Sequence, residues 1–333
     1  MLKKALLASL AAGVMMMAGA ALAADKLSIV YIPKNTGNPY FDSLVQGFVD
    51  GCAKIGCDFT TAAPATAEAT SQIPFITAQT QRGVNVIAIS PNSPDAMNQV
   101  LDRAREKGVL VLAVNGDLVD NYDHRDAAIL PVDFTKTGPG QVELLGSMIN
   151  YEGEIAILSA TTDAPDQNTW IAAMVDSLKN NPKYAKMKLV ATVYGDDEPQ
   201  KSTTEAEALL SKYPNLKGII SPTTVGVAAA AQVIQSAGKA STVHLTGLGT
   251  PNQMRPFIKD GTVKAFQLWS PYNEGLLTSY FASGVKAGTI KIAEGQSFEV
   301  PGFGKVTIGP HNVINTQAEL TTFDASNIDK FNF

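Results

Sequence analysis

Val84-Asn-Val-Ile-Ala-Ile-Ser90, a helical pattern from Asp95 to Lys107, and Val109-Leu-Val-Leu-Ala-Val114 follow one another with almost nothing between them. A short apolar run, an amphipathic dozen and a second apolar run form the pattern of a parallel sheet covered on both faces. Toward the amino terminus the alternation continues. Leu27-Ser-Ile-Val-Tyr-Ile32 reads as a buried strand that stops at Pro33. From Tyr40, apolar residues at Leu44, Val45, Phe48, Val49 and Ala53 recur at helical spacing until Gly56 ends the helix, and Ile73 to Gln81 predicts another.

After Pro131 the pattern starts again. Helices are expected over Gln141–Asn150, Asn168–Asn180, Thr203–Lys212 and Val225–Ala237, and strands over Glu154–Ser159, Leu189–Tyr194, Leu216–Ser221, Thr242–Leu248 and Val263–Leu268. Two such sets imply two similar doubly wound α/β lobes. No Gly-Ser linker separates them, so their connection is expected to be short and ordered. A last helix, Tyr272–Ala287, precedes short β segments that need not belong wholly to the second lobe.

Residues 1–23 have the order of parts of a secretory leader. Lys3 and Lys4 give a basic start, an apolar stretch runs from Ala5 to about Ala18, and Ala21-Leu22-Ala23 supplies the Ala-x-Ala cleavage pattern. Ser9 and Gly13 interrupt the apolar stretch and no cysteine stands at the cut, which argues against a membrane anchor or a lipoprotein. The mature chain is expected to start at Ala24, in the periplasm. Removing Lys3 and Lys4 from the 26 basic residues leaves 24 against 31 acidic ones, a net charge of −7. Such a surface repels nucleic acid and anionic lipid. Cys52 and Cys57, five apart across a predicted helix end, can close a small disulfide in an oxidising compartment or remain two half-buried thiols.

In sheets of this kind, ligands bind at the carboxyl ends of the strands. The loops there are Pro33–Phe41, Ser90–Asn92 and Asn115–Asp117 in the first lobe. In the second they are Thr161–Asn168, Gly195–Glu198, Ser221–Thr224 and Gly247–Asn252. They are rich in Asn, Asp, Gln and Thr, with Tyr40, Phe41, Trp170 and Trp269 nearby. Carboxylates and amides suit paired sugar hydroxyls, and aromatic faces suit the apolar side of a sugar ring. The same polar residues make ordinary turns and helix caps, so no single one carries this reading.

Several stretches also carry a family resemblance: Ile32-Pro-Lys-Asn-Thr-Gly-Asn-Pro-Tyr-Phe41, Ile155-Ala-Ile-Leu-Ser-Ala160, Ala191-Thr-Val-Tyr-Gly-Asp-Asp197, Ile219-Ile-Ser-Pro-Thr-Thr-Val-Gly226 and Thr246-Gly-Leu-Gly-Thr-Pro-Asn-Gln-Met-Arg255. In these the chain resembles the substrate-binding proteins of rhamnose-type ABC transporters and, slightly less closely, autoinducer-2-binding proteins. The resemblance implies a type I periplasmic-binding fold whose chain crosses between lobes three times, near Pro131, Leu268 and Ser297. The expected division is residues 24–131 with 269–297 in one lobe, and 132–268 with 298–333 in the other. The resemblance further implies ligand contacts from Lys34, Asn38, Asn115, Asp166, Gln167, Pro222 and Thr224, with Tyr40 and Phe41 flanking a ring and Trp269 at the second crossing. Asn115 and Ser270 stand where relatives carry Asp, which removes two charged acceptors and puts rhamnose itself in question. A monomer is expected, with a sugar, polyol or autoinducer-2 as ligand and a membrane permease, or a chemoreceptor, as partner. No cofactor or metal is implied.

Sharper chemistry finds little support. Gly247-Leu-Gly lacks the third glycine of a dinucleotide fingerprint. His124, His244 and His311 lack metal-ligand spacing, and Asp196-Asp197-Glu198 reads as a solvated acidic turn. No nucleophile elbow or P-loop occurs, so an enzyme is not expected. A DNA-binding regulator would need a helix-turn-helix where the leader stands.

Overall fold

The computed structural model describes residues 26–317 and 319–333; the leader and the expected start at Ala24 lie outside the described residues. In the first lobe, β1 (Ser28–Ile32), β2 (Asp58–Thr61), β3 (Val86–Ile89), β4 (Leu110–Val114) and β5 (Ala127–Leu130) run parallel. They alternate with α1 (Pro39–Ile55), α2 (Ile73–Arg82) and α3 (Asn98–Glu106). Successive strand residues point to opposite faces. Ile29, Tyr31, Val86, Ala88 and Leu112 therefore pack with Leu44 and Phe48 of α1. Val30, Ile32, Ile87, Ile89 and Val111 pack with Ile76 of α2 and Leu101 of α3. Both faces are buried, which is why these strands read as continuous apolar runs rather than alternating ones.

The second lobe runs α4 (Phe134–Met148), β6 (Glu152–Ser159), α5 (Pro165–Asn180), β7 (Lys186–Tyr194), α6 (Pro199–Lys212), β8 (Leu216–Ser221), α7 (Thr224–Ser236), β9 (His244–Gly247), α8 (Pro251–Lys259) and β10 (Ala265–Leu268). Its four parallel strands lie in the order β7-β6-β8-β9. α4 starts earlier than the expected Gln141 and runs through Pro139. Asp133 caps it, its Oδ1 accepting the Thr135 N–H at 3.0 Å.

From the second lobe the chain returns as α9 (Pro271–Lys286), which packs along α1. β11 (Ser297–Val300) and β12 (Gly304–Thr307) form an antiparallel hairpin. β13 (Val313–Asn315) then pairs in parallel with β5, completing the first sheet as β13-β5-β4-β3-β1-β2. β14 (Thr321–Asp324) pairs antiparallel with β10. The third crossing thus falls between Asn315 and Thr321, not near Ser297. A hairpin occupies the expected crossing, and β13, with three residues, is too short to show a period of its own.

Glycines set how closely the site-bearing helices approach. A Cβ on Gly47 of α1 would lie 2.0 Å from the Tyr272 carbonyl oxygen of α9, and one on Gly275 would lie 2.1 Å from that of Leu44. In the second lobe a Cβ on Gly138 of α4 would lie 2.3 Å from the Trp170 carbonyl oxygen of α5. At the far end of α1, Gly56 takes a left-handed conformation (φ 75°) that closes the helix, and Cys52 and Cys57 are joined in a disulfide across that turn.

Candidate functional site

Gln72 braces the loops that leave β1 and β3. Its amide N–H2 donates to the Pro33 and Ser90 carbonyls at 2.9 and 2.8 Å, and its Oε1 accepts the Asn92 N–H at 3.0 Å. Asn92 in turn donates to the Lys34 carbonyl at 2.8 Å. Lys34 is thereby held at the carboxyl edge of the first sheet with its ammonium aimed at the other lobe. Asn38 caps α1, its Oδ1 accepting the Tyr40 N–H at 3.1 Å, and places Tyr40 and Phe41 in the first turn. Asn115, directly after β4, sits at φ 69°, a left-handed conformation that Asn and Asp tolerate better than most residues.

The second lobe answers with helix amino termini. α5 begins at Pro165, so Asp166 and Gln167 lie in its first turn, where the helix dipole favours a carboxylate. Both Asp166 oxygens accept from Lys34 Nζ, at 2.6 and 2.7 Å, and Gln167 Oε1 lies 3.3 Å from the same nitrogen. Ion-paired in this way, Asp166 makes no capping bond to its own helix. The Lys34 and Asp166 side chains are only 5% and 1% exposed. Two further bonds cross between the lobes. Asn38 Nδ2 donates to Asp197 Oδ2 at 3.0 Å, and the Thr224 hydroxyl donates to Asn38 Oδ1 at 2.9 Å.

Together these residues line a cavity of only about 30 Å³ between the lobes, whose polar tips already meet across it. All ten residues singled out from the sequence line it: Lys34, Asn38, Tyr40, Phe41, Asn115, Asp166, Gln167, Pro222, Thr224 and Trp269. Trp170, Asp197, Thr223, Leu248 and Leu268 complete the lining. Asp197 corrects the reading of its segment as a solvated turn. Asp196 is partly exposed and pairs with Lys201, but Asp197 is buried between Asn38 and Thr223. Burial raises its pKa above the usual carboxylate value, while hydrogen bonds from Thr223 and Asn38 and the Lys34 charge oppose that rise. Ser270 does not line the cavity; it precedes α9, and its N–H faces Gln317 Oε1 at 3.3 Å.

The aromatic side is held from behind. Trp269 meets Tyr40 and Trp170 edge-on, at centroid distances of 6.3 and 5.7 Å. Trp269 Nε1 donates to the Tyr40 hydroxyl at 2.7 Å, and that hydroxyl also contacts Asn115 Oδ1 and Glu274. Burial, then the Glu274 carboxyl, push the Tyr40 phenol well above its ordinary pKa. Glu274, on α9, did not stand out in the sequence. It is wholly buried, and burial pushes its carboxyl well above the usual range.

Comparison with known proteins fits this architecture. The chain is 39% identical to a sugar ABC transporter protein from Actinomyces odontolyticus, with a TM-score of 0.73 over 92% of this chain and 97% of that one. It is 32% identical to an ABC transporter solute-binding protein from Clostridium phytofermentas solved with bound L-rhamnose, with a TM-score of 0.87 over 92% and 98% of the two chains. A D-ribose/D-allose-binding protein from Pseudomonas aeruginosa is 24% identical over 208 residues, 60% of this chain and 62% of that protein, so the match spans about three fifths of that relative. The model of the periplasmic binding protein domain matches residues 29–289, from β1 to just past α9. By that match and by its two parallel-sheet lobes, the chain belongs to the periplasmic binding protein domain family, as the motifs in its sequence implied.

Proposed function

We propose that this chain is the periplasmic solute-binding component of a carbohydrate ABC importer, and that it captures a small uncharged sugar between its lobes. The ligand is a rhamnose-like deoxyhexose, a pentose or a polyol of similar size. One observation carries this reading: N–H groups from the first lobe and carboxylate and amide oxygens from the second converge on one small cavity walled by aromatic rings. A sugar hydroxyl both donates and accepts, so it satisfies both walls at once. Among the described residues that line the cavity, Lys34 is the one cation and is ion-paired to Asp166, so these residues offer no unpaired positive charge for a carboxylate or phosphate. Sugar-related names among the relatives support the class, and L-rhamnose in one of them supports the size. The task is capture without conversion. Closure of the lobes around the ligand buries it and forms the surface that the membrane permease reads.

A thermal-shift screen of the mature protein against neutral sugars, polyols and autoinducer-2 tests this, because a ligand that binds only the folded state raises its melting temperature. A neutral monosaccharide or polyol should give the largest shift, and small-angle scattering should show a more compact particle at saturation. A response confined to autoinducer-2, or to anionic ligands, would overturn the sugar assignment.

A further inference from the structure

The hydroxyl of Tyr40 is in contact with three polar groups but owns one proton. Trp269 Nε1, a donor only, lies 2.7 Å away; Asn115 Oδ1 lies 2.5 Å away; Glu274 Oε1 is also within hydrogen-bond reach. If Glu274 is ionised, two acceptors compete for the one phenolic proton. The network then closes only if the Asn115 amide turns over and donates to Tyr40. If Glu274 carries a proton, everything closes as placed: Trp269 and Glu274 both donate to the phenol oxygen, and the phenol donates to Asn115 Oδ1. Which way an amide faces is settled by such a network.

The surroundings of Glu274 select between the two. Its side chain is 0% exposed and its Oε2 has no hydrogen-bond partner of good geometry among the described residues; the nearby Tyr40 hydroxyl and Trp269 N–H favour a carboxylate, but burial outweighs them. None of the ion pairs among the described residues involves it. Its titratable neighbours are Tyr40 of α1, Tyr31 of β1 and Asp166 of α5, none of them a cation. β4 and β5, which also pack on α9, present apolar side chains only. A carboxylate buried without a countercharge is far costlier than a neutral acid.

We propose that Glu274 is a positioning residue, a neutral carboxylic acid whose proton sets Tyr40 to donate to Asn115 and so turns the Asn115 amide N–H2 toward the ligand. This rests on the reading of the cavity as a sugar site. Glu274 never touches the ligand. It fixes the polarity with which the first-lobe wall meets one ligand hydroxyl, so that the hydroxyl acts there as an acceptor. Ionising Glu274 reverses the Asn115 amide and presents an oxygen instead.

The test compares the parent with Glu274→Gln, whose amide can still donate to Tyr40 but cannot ionise, and with Tyr40→Phe, which cuts the relay. Infrared difference spectroscopy of the ligand-free protein at neutral pH should show the carbonyl stretch of a protonated carboxylic acid, lost in Glu274→Gln. Calorimetric titration with the sugar giving the largest thermal shift, taken upward from neutral pH, should show parent affinity falling about tenfold as Glu274 ionises, the loss of one good hydrogen bond. Both variants should stay within about twofold of their own neutral-pH values, with Tyr40→Phe weaker throughout. Absence of the infrared band, or a parent pH profile shared by Glu274→Gln, overturns the inference. Failure of the parent to bind any sugar overturns the proposed function instead, and the infrared band reads the Glu274 proton independently of it.

Discussion

Set side by side, the first-lobe wall of the cavity ends in N–H groups, Lys34 Nζ and Asn38 Nδ2, where the second-lobe wall ends in oxygens, on Asp166, Gln167 and Asp197. The walls also differ in support. First-lobe tips are held by a polar scaffold, Gln72 behind Lys34 and the Trp269–Glu274 pair behind Tyr40. Asp166 and Gln167 instead lie in the first turn of a helix, where the dipole does the orienting. The difference teaches how a hinged site achieves fit. Each wall presents mainly one polarity, the Thr224 hydroxyl donating to Asn38 Oδ1 in the opposite sense, and only the pair makes a complete set of partners for a hydroxyl.

Breaking either wall at its tip should have the largest effect. Asp166→Ala and Lys34→Met each remove charge-assisted hydrogen bonds worth about 1.5–3 kcal/mol apiece, so affinity for the cognate sugar should fall by about one to two orders of magnitude. Unfolding in urea should change by less than about 1 kcal/mol, because parted lobes let water reach the surviving partner, unlike a charge stranded in a rigid core. Should calorimetry find both variants binding as tightly as the parent, the cavity is not the site.

The scaffolds can be compared through their helix crossings. Gly47→Ala and Gly138→Ala each drive a methyl onto a backbone carbonyl that cannot swing aside. Each should cost about 1–3 kcal/mol of stability in urea. Gly47→Ala should also weaken sugar binding, since α1 carries Tyr40 and Phe41. Equal stability of Gly47→Ala and the parent would show that α1 and α9 are free to separate.

Glu274→Gln sharpens the comparison through pH. Folded protein holds a proton on this buried acid that the unfolded chain releases above the ordinary carboxyl pKa. Unfolding there releases a proton, so the parent loses stability as pH rises, by about 1.4 kcal/mol per unit, until the folded acid itself ionises. Gln at this position escapes that loss. The stability gained by Glu274→Gln should therefore grow with rising pH and vanish near pH 4; parallel pH profiles in urea would mean that Glu274 is already ionised. Thr224→Ala should do least. Its hydroxyl makes one neutral bond to Asn38, worth about 1 kcal/mol, and affinity should drop no more than about fivefold by calorimetry.

Much of this was legible in the sequence because two local rules reach far. Strand and helix periods implied parallel sheets, and parallel sheets put their binding loops at the strand carboxyl ends, so those loops could be listed before any coordinates, while Lys34, Asn115, Asp166 and Pro222 were singled out within them by the family resemblance. What stayed hidden depends on burial between distant segments. Asp197 reads as one of three acids in a turn, and only the approach of Asn38 from the other lobe removes it from water. Glu274 lies in an unremarkable helical stretch, and its isolation follows from the close glycine crossing of α1 and α9. The return of β13 to the first sheet left no signal, because Val313-Ile-Asn315 has no period to read.

That late return has a consequence for how the molecule comes into being. The first sheet takes its edge strand from residues 313–315, and β10 of the second lobe takes its partner from residues 321–324. A chain that emerges progressively, from a ribosome or through a membrane pore, therefore cannot finish either lobe until nearly all of it is out. Pairings so distant in sequence form slowly. The two lobes reach their final form together, at the end of the thread, and the chain stays pliable for as long as it is still being delivered.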